Sequence, residues 1–527
     1  MKKCITIVLA SGALISCKSI QKEPEVPKRP NILFVIADDA SFPHYGANGS
    51  RWVDTPGFDR LAREGILFSN CYTPNAKSAP SRACLLTGLY SWQLREAGNH
   101  IPQFPSDIKV VTEALLEAGY NIGFTGKGWA PGDAGQVNGK PRLLTGKPYQ
   151  QRTLTPPTPC IGRNDYAGNF KDFLDAQDEE PWFFWAGFFE PHRDYTYGSG
   201  IQLGGKTIDM IDQVPVFWPD NTTIRNDMLD YAFELEYADN HLLRMIEELE
   251  RRGMLDNTIV VFTSDNGMPF PRSKANNYEL SNHMPLAVMW KNGIVNPGRV
   301  VADYVSFVDF TPTFLEVSGI DPVQYGMQPP AGKSLNNIFQ NGKEGLTTPY
   351  RNYTLLGRER HDYGRPDNQG YPIRSIIRDG LLYIANLKPE LYPGGNPETG
   401  YLDCDGSPTK NDILQMRREG RNDWYWRLSF GIRPEEELYQ LATDKDCILN
   451  LADNPLYDKQ KNEMKTFLFS ILRLQGDPRM FGQGDVFDHY PFDQEANWNF
   501  WERVQSGEIT EPWKQTGWVW ATDYEIN

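Results

Sequence analysis

The chain has 527 residues, a formal net charge of −15, 40% hydrophobic and 23% charged residues. This is the composition of a globular protein with room for one large domain and a smaller one, and it excludes a disordered chain. The acidic balance argues against a nucleic-acid partner, which requires a basic face, while leaving room for a local cationic pocket that takes a small anion.

Lys2 and Lys3 precede an apolar stretch from Ile5 to Ile15, the charged and hydrophobic regions of a secretory signal. No apolar run reaches the roughly 18–20 residues that span a bilayer. The stretch ends in Leu14-Ile15-Ser16-Cys17, which resembles the lipobox of bacterial lipoproteins. The resemblance implies cleavage after residue 16 and lipidation of Cys17. The protein is then an exported lipoprotein, periplasmic or outer-membrane-anchored, that meets the membrane through its lipid anchor only. Residues 17–29 are polar and Pro-rich, as a tether is.

Beyond the tether, short apolar runs end in polar residues. Asn31–Ala37 runs into Asp38-Asp39, and Asn121–Thr125 into Gly126-Lys127. Trp182–Phe189 runs into Glu190-Pro191-His192, and Thr258–Thr263 into Ser264-Asp265-Asn266-Gly267. Helical spacing lies between them: Val111, Ala114, Leu115 and Ala118 before Gly119, and Leu242, Met245, Ile246 and Leu249 before Gly253. Strands alternating with helices predict an α/β fold around a largely parallel sheet. Ligands of such sheets bind beyond the carboxyl ends of the strands, where these Asp, Lys, His and Asn residues converge. The catalytic domain is expected over 30–385. A smaller α+β unit is expected over 386–527, opening with a Pro/Gly/Asp-rich loop at 388–410 and containing an amphipathic run near 455–475. Cys71, Cys84, Cys160, Cys404 and Cys447 have no zinc-site spacing and allow at most two disulfides.

Residues 78–88 read Ser-Ala-Pro-Ser-Arg-Ala-Cys-Leu-Leu-Thr-Gly. This resembles the signature of type I sulfatases, C/S-x-P-S-R followed by L-T-G. The resemblance implies an alkaline-phosphatase-like fold and oxidation of Ser78 to formylglycine. A serine here resembles the form matured by an anaerobic sulfatase-maturing enzyme. Read without the family, Ser78 caps a helix starting at Pro80. Asp38, Asp39, Asp265 and Asn266 resemble the family's metal ligands, with position 78 beside them. Oxygen donors without sulfur suit a hard cation such as Ca²⁺. Three carboxylates, one divalent ion and one sulfate leave a negative balance that Arg82, Lys127, Lys274 and a protonated His192 offset. The implied chemistry is attack of one hydroxyl of a formylglycine hydrate on sulfur. Arg82 helps ionise it, Lys127 and Lys274 neutralise sulfuryl oxygens, and His192 protonates the leaving group. One position departs from the family. A histidine usually follows two residues after the lysine matched by Lys127, and this chain has Trp129 there, with His100 the candidate substitute.

Within the family the chain resembles the heparan N-sulfatase branch from about residue 30 to 490. The resemblance is carried by Asp265-Asn266-Gly267-Met268-Pro269-Phe270-Pro271 with Lys274, by Phe189-Glu190-Pro191-His192-Arg193, and by Tyr371-Pro372-Ile373-Arg374-Ser375. Glu437-Leu438-Tyr439 and Asn450-Leu451-Ala452 match its later landmarks. It implies exo cleavage of a sulfated glucosamine at the end of a sulfated glycan oligosaccharide, with an N-sulfate favoured and a 3-O- or 6-O-sulfate the alternative. His100, Glu359, Arg360, His361 and Arg374 are the residues expected to read the sugar. A phosphoesterase of the same superfamily and a glycan-binding lipoprotein without catalysis are the rival readings.

Overall fold

A computed structural model describes Met1 and residues 29–525. The signal segment, Cys17 and the tether up to residue 28 lie outside the described residues.

Nine strands form the main sheet. They are β1 (Asn31–Ala37), β2 (Ile66–Tyr72), β3 (Asn121–Gly126), β6 (Lys147–Pro148), β7 (Trp182–Gly187), β8 (Thr258–Ser264), β9 (His283–Met289), β10 (Arg299–Val301) and β11 (Val305–Ser306). Two short strands, β4 (Gln136–Val137) and β5 (Lys140–Pro141), form a separate ribbon. The order is β10-β2-β9-β8-β1-β7-β3-β6, with β11 beside β2. The four strands read from apolar runs are therefore consecutive, in the order β8, β1, β7, β3, and parallel. β9 breaks the expected parallel pattern, running antiparallel to both β8 and β2.

Both faces of the sheet are covered, which is why these strands read as unbroken apolar runs. Ile32, Phe34 and Ile36 pack under helices Ser78–Thr87, Val111–Glu117 and Phe310–Val317. Leu33, Val35 and Ala37 pack under Pro56–Glu64, Tyr166–Asp175 and the 30-residue helix Thr222–Arg251. Among the described residues no helix is long and apolar enough to cross a membrane. The five described cysteines are free, so none of the allowed disulfides forms among them.

A second, antiparallel sheet joins β12 (Tyr353–Arg358), β13 (Ile373–Arg378), β14 (Leu381–Asn386) and β15 (Glu436–Gln440) in that order. The expected boundary near 385 falls at the end of its third strand, so three of its strands precede that point. The amphipathic run forms helix Asp458–Leu474, which buries Met464, Leu468 and Leu472.

Strands β3 and β7 end together without a side chain between them. A Cβ at Gly187 would meet the Lys127 carbonyl oxygen at 1.8 Å, and that carbonyl accepts the Trp185 indole N–H at 2.9 Å. Backbone on one side and a fixed indole on the other leave no room to yield. Gly187→Ala is expected to destabilise the fold by at least ~1–3 kcal/mol, the usual cost of overpacking. The check is the urea midpoint, which falls if Gly187 is required and stays within error if it is not.

Candidate active site

The carboxyl ends of β8, β1, β7 and β3 deliver one cluster. Asp38 and Asp39 follow β1, and Asp39 takes a left-handed conformation (φ 71°) that Asp tolerates better than most residues. Its amide donates to Asp265 Oδ1 at 3.1 Å, tying the ends of β1 and β8 together. The carboxylates of Asp38, Asp39 and Asp265 are all buried, with one oxygen of each within 4.8 Å of the others. Asn266 donates through Nδ2 to Asp39 Oδ1 at 2.7 Å, while its Oδ1 is enclosed with no partner among the described residues.

Ser78 is the first residue of its helix, with Lys77 at the cap position. The helix thus starts two residues before the expected Pro80, because Ser81 N–H already bonds the Lys77 carbonyl. The Ser78 hydroxyl donates to Asp38 Oδ1 at 3.1 Å and accepts from Lys127 Nζ at 3.1 Å. Lys127 also reaches Asp38 Oδ2 at 2.5 Å. The next residues of the helix lock it to the sheet. Ser81 Oγ donates to the Asp265 carbonyl, and Arg82 Nε to Asp265 Oδ2 at 2.9 Å. Arg82 Nη1 donates to the Lys127 and Gly128 carbonyls, both at 3.0 Å.

The electrostatics follow from this packing. Burial would push the Asp38 carboxyl up, but Lys127, Arg82 and His192 outweigh it and hold it well below the usual range. Asp265 moves the other way, raised by burial and by the Asp38 charge. Lys274 is held charged against burial by Asp39, at 2.7 Å, and by Asp405, at 3.0 Å. Asp39, His192 and Asp405 also converge, but the Lys274 ammonium already sits between the two carboxylates.

Three carboxylates crowded together, one of them raised by its neighbour, and an orphaned amide oxygen fit a hard divalent cation. The donors are oxygens only, and an ion among them relieves both the repulsion and the unpaired Asn266 oxygen.

His192 leaves 32% of its side chain exposed, with Nε2 3.7 Å from Asp39 Oδ2. Its Nδ1–H donates to the Arg193 carbonyl at 2.7 Å. A cavity of about 540 Å³ opens over Asp38, Ser78, Lys127, His192 and Lys274.

A family model described as Sulfatase matches residues 30–320, more than half of the chain. The chain belongs to the sulfatase family. An ulvan-active sulfatase of Formosa agariphila is 26% identical over 91% of this chain and 83% of its own length. The human N-sulphoglucosamine sulphohydrolase is 29% identical over 81% of this chain and 86% of its own. Among solved structures, a protein in complex with its substrate D-glucosamine-2-N,6-O-disulfate shares the fold. The TM-score is 0.58 at 19% identity, covering 89% of this chain and 100% of that one. This sulfatase is accordingly a hydrolase with the fold that its signature implies.

The Trp129 departure has a clear structural counterpart. The indole is buried edge-on to Phe104 and donates to the Ala79 carbonyl at 3.0 Å, bracing the first turn of the Ser78 helix. His100 lines the cavity; its Nδ1–H donates to Asp362 at 3.0 Å. The remaining sugar-reading expectations need correction. Glu359 is fully buried between Arg374 and Arg479, at 2.5 and 2.6 Å. Arg374 is also fully buried and binds Asp477 at 2.7 Å. Arg360 spends its guanidinium on the carbonyls of Asp488 and Tyr490. His361 donates to Asn75 Oδ1 at 2.6 Å and is fully buried. None of these four lines the cavity. They join the second sheet and the C-terminal segments to the main domain.

The cavity wall instead carries Phe189 of the Phe189–Arg193 motif together with residues that no motif marked. Lys77, which pairs with Asp362 at 2.6 Å, and Asp405, Glu234 and Trp518 are the unmarked ones. They are single residues on separate elements, so no spacing in the chain groups them. Lys77 alone was within reach of inspection, as a charge directly before the signature.

The His100 ring is neutral in the folded protein: burial takes its pKa down to about 4, against the pull of Asp362. A base whose pKa is lowered on folding stabilises the fold where it is uncharged. The unfolded chain binds more protons below about pH 6.5, so that stability drains away as pH falls from there through 4. His100→Gln should flatten this part of the stability–pH profile by on the order of 3 kcal/mol. Urea titrations of both proteins between pH 7 and 4 check it, parallel profiles being the contrary result.

Proposed function

We propose that this sulfatase removes sulfate from a terminal sulfated glucosamine of a heparan-type glycan, with an N-sulfate favoured over an O-sulfate. The observation that carries the reading is the placement of Ser78 between Asp38 and Lys127 at the base of one cavity, beside Lys274 and His192. The glucosamine part is supported by the similarity to the human N-sulphoglucosamine sulphohydrolase over most of both chains.

Asp38, Asp39, Asp265 and Asn266 would hold a calcium ion, which supplies positive charge for the sulfuryl oxygens. Ser78, once converted to formylglycine, supplies as its hydrate one hydroxyl for attack on sulfur and a second for release of sulfate. The chain's own groups do the rest. Lys127, paired with Asp38, and Lys274, held charged by Asp39 and Asp405, orient the sulfate group and balance its charge. Arg82 fixes the helix that carries Ser78 against the ends of β3 and β8. The Nδ1–H of His192 is occupied by the Arg193 carbonyl, so the proton it can deliver is the one on Nε2, which faces Asp39.

A proton donor matters in proportion to how poor the leaving group is. His192→Gln should lower kcat on a sulfated sugar by ~10²–10⁴-fold, with a much smaller loss on an aryl sulfate whose phenolate leaves unaided. Steady-state kinetics on both substrates decide this; equal losses would remove His192 from the role of acid.

The reading itself is tested with protein co-produced with an anaerobic sulfatase-maturing enzyme, after mass spectrometry of the Ser78 peptide. Sulfate release is measured from glucosamine N-sulfate and from 3-O- and 6-O-sulfated N-acetylglucosamine, with Ser78→Ala as the control. Release from the N-sulfate alone is the expected result. Release from an O-sulfate alone moves the bond and keeps the chemistry, and release from none, with turnover of a phosphate monoester, overturns the reading.

A further inference from the structure

Two acids in the cavity wall have no part in the chemistry above. Glu234 stands in the middle of helix Thr222–Arg251, is 2% exposed and borders the cavity. Neither carboxyl oxygen has a hydrogen-bond partner among the described residues; Oε1 is enclosed, and Oε2 is the one left accessible. Glu190, beside it, accepts from the Tyr166 hydroxyl at 2.7 Å through Oε2 and likewise leaves Oε1 unpartnered. The surroundings are acidic: burial first, then Glu190, Asp230 and Asp194 all push the Glu234 carboxyl well above its usual range. The cation opposing them, Arg193, is engaged at 2.7 and 2.8 Å by both oxygens of Asp227.

A buried carboxyl without a partner is a cost to the fold. An apolar or amide side chain would fill the same space without that cost. Such a group is explained when a ligand completes its hydrogen bonds, and it borders the cavity that the substrate enters. A negatively charged ligand group would be repelled by the acids around it, whereas a hydroxyl can both donate to and accept from a carboxyl.

We propose that Glu234 is a specificity-determining residue of this sulfatase, hydrogen-bonding a ring hydroxyl of the sugar and rejecting an anionic substituent at that place. The proposal rests on the glycan reading above. Sites built to hydrogen-bond a hydroxyl discriminate strongly, because the buried partner is left unpaired when the hydroxyl is missing.

The test uses the matured full-length enzyme with Glu234→Gln and Glu234→Leu. Two quantities are read: kcat/KM on the sulfated glucosamine that the unsubstituted enzyme cleaves, relative to that on 4-nitrocatechol sulfate, and the thermal midpoint. The sugar-to-aryl ratio should fall about tenfold in the amide variant and about a hundredfold in the leucine variant. The midpoint should hold or rise in both, since an unpartnered buried carboxyl is gone. A ratio within threefold of the parent in both variants overturns the proposal. So does a lowered midpoint with parallel loss on both substrates, which marks a structural role. An unsubstituted enzyme that turns over the aryl sulfate and no sulfated sugar overturns the glycan reading, and this contact with it.

Discussion

Three carboxylates, Asp38, Asp39 and Asp265, are buried together at the carboxyl ends of two neighbouring parallel strands, and the rest of the active region is arranged around the cost of that burial. Like charges in a medium of low polarisability repel strongly, and each also loses its hydration. Arg82, Lys127 and Lys274 answer them directly, each within 3.0 Å of one of the three. Arg82 and Lys274 are themselves buried and are held by further acceptors, the Lys127 and Gly128 carbonyls for Arg82 and Asp405 for Lys274. The result is a charge lattice in which no member can be removed without exposing another.

This lattice ties the chemistry to the topology. Strands β8, β1, β7 and β3 are neighbours, so the residues just past their ends meet although they lie up to about 230 positions apart. That is why the strand ends were legible in the sequence: an unbroken apolar run that stops at a carboxylate, lysine or histidine marks both the strand and its place in the cluster. Asp38, Asp39, Lys127, His192 and Asp265 follow such runs, and Ser78, Arg82 and Lys274 entered through the family motif. β2 and β9 were not legible: Ile66–Tyr72 mixes Ser69 and Asn70 into its apolar run, and His283–Met289 carries a proline, which argues against a central strand, and runs against the sheet.

Charge density proved a poor guide to contact with a ligand. Glu359, Arg360, His361 and Arg374 looked like a recognition cluster and are instead fully buried struts between β12, β13 and the C-terminal segments. The physical difference lies in their partners. Arg374 meets two carboxylates and two backbone carbonyls, so its donors are spoken for before any ligand arrives. The partners of Arg374, at Glu359 and Asp477, are separated by more than a hundred residues, and no local pattern announces them.

The same accounting explains how a protein of net charge −15 holds an anion. Satisfied ion pairs such as Lys77–Asp362 and Lys274–Asp405 line the cavity with alternating sign, so its interior potential is set by neighbours within a few ångströms and not by the surface total. Trp129 fits this picture as well. An indole offers one donor and no titratable group, and here that donor holds the Ala79 carbonyl one residue from Ser78. A histidine at this place would add a proton-transfer group next to Ser78. With tryptophan there, the titratable groups that touch the Ser78 hydroxyl are Lys127 and Asp38.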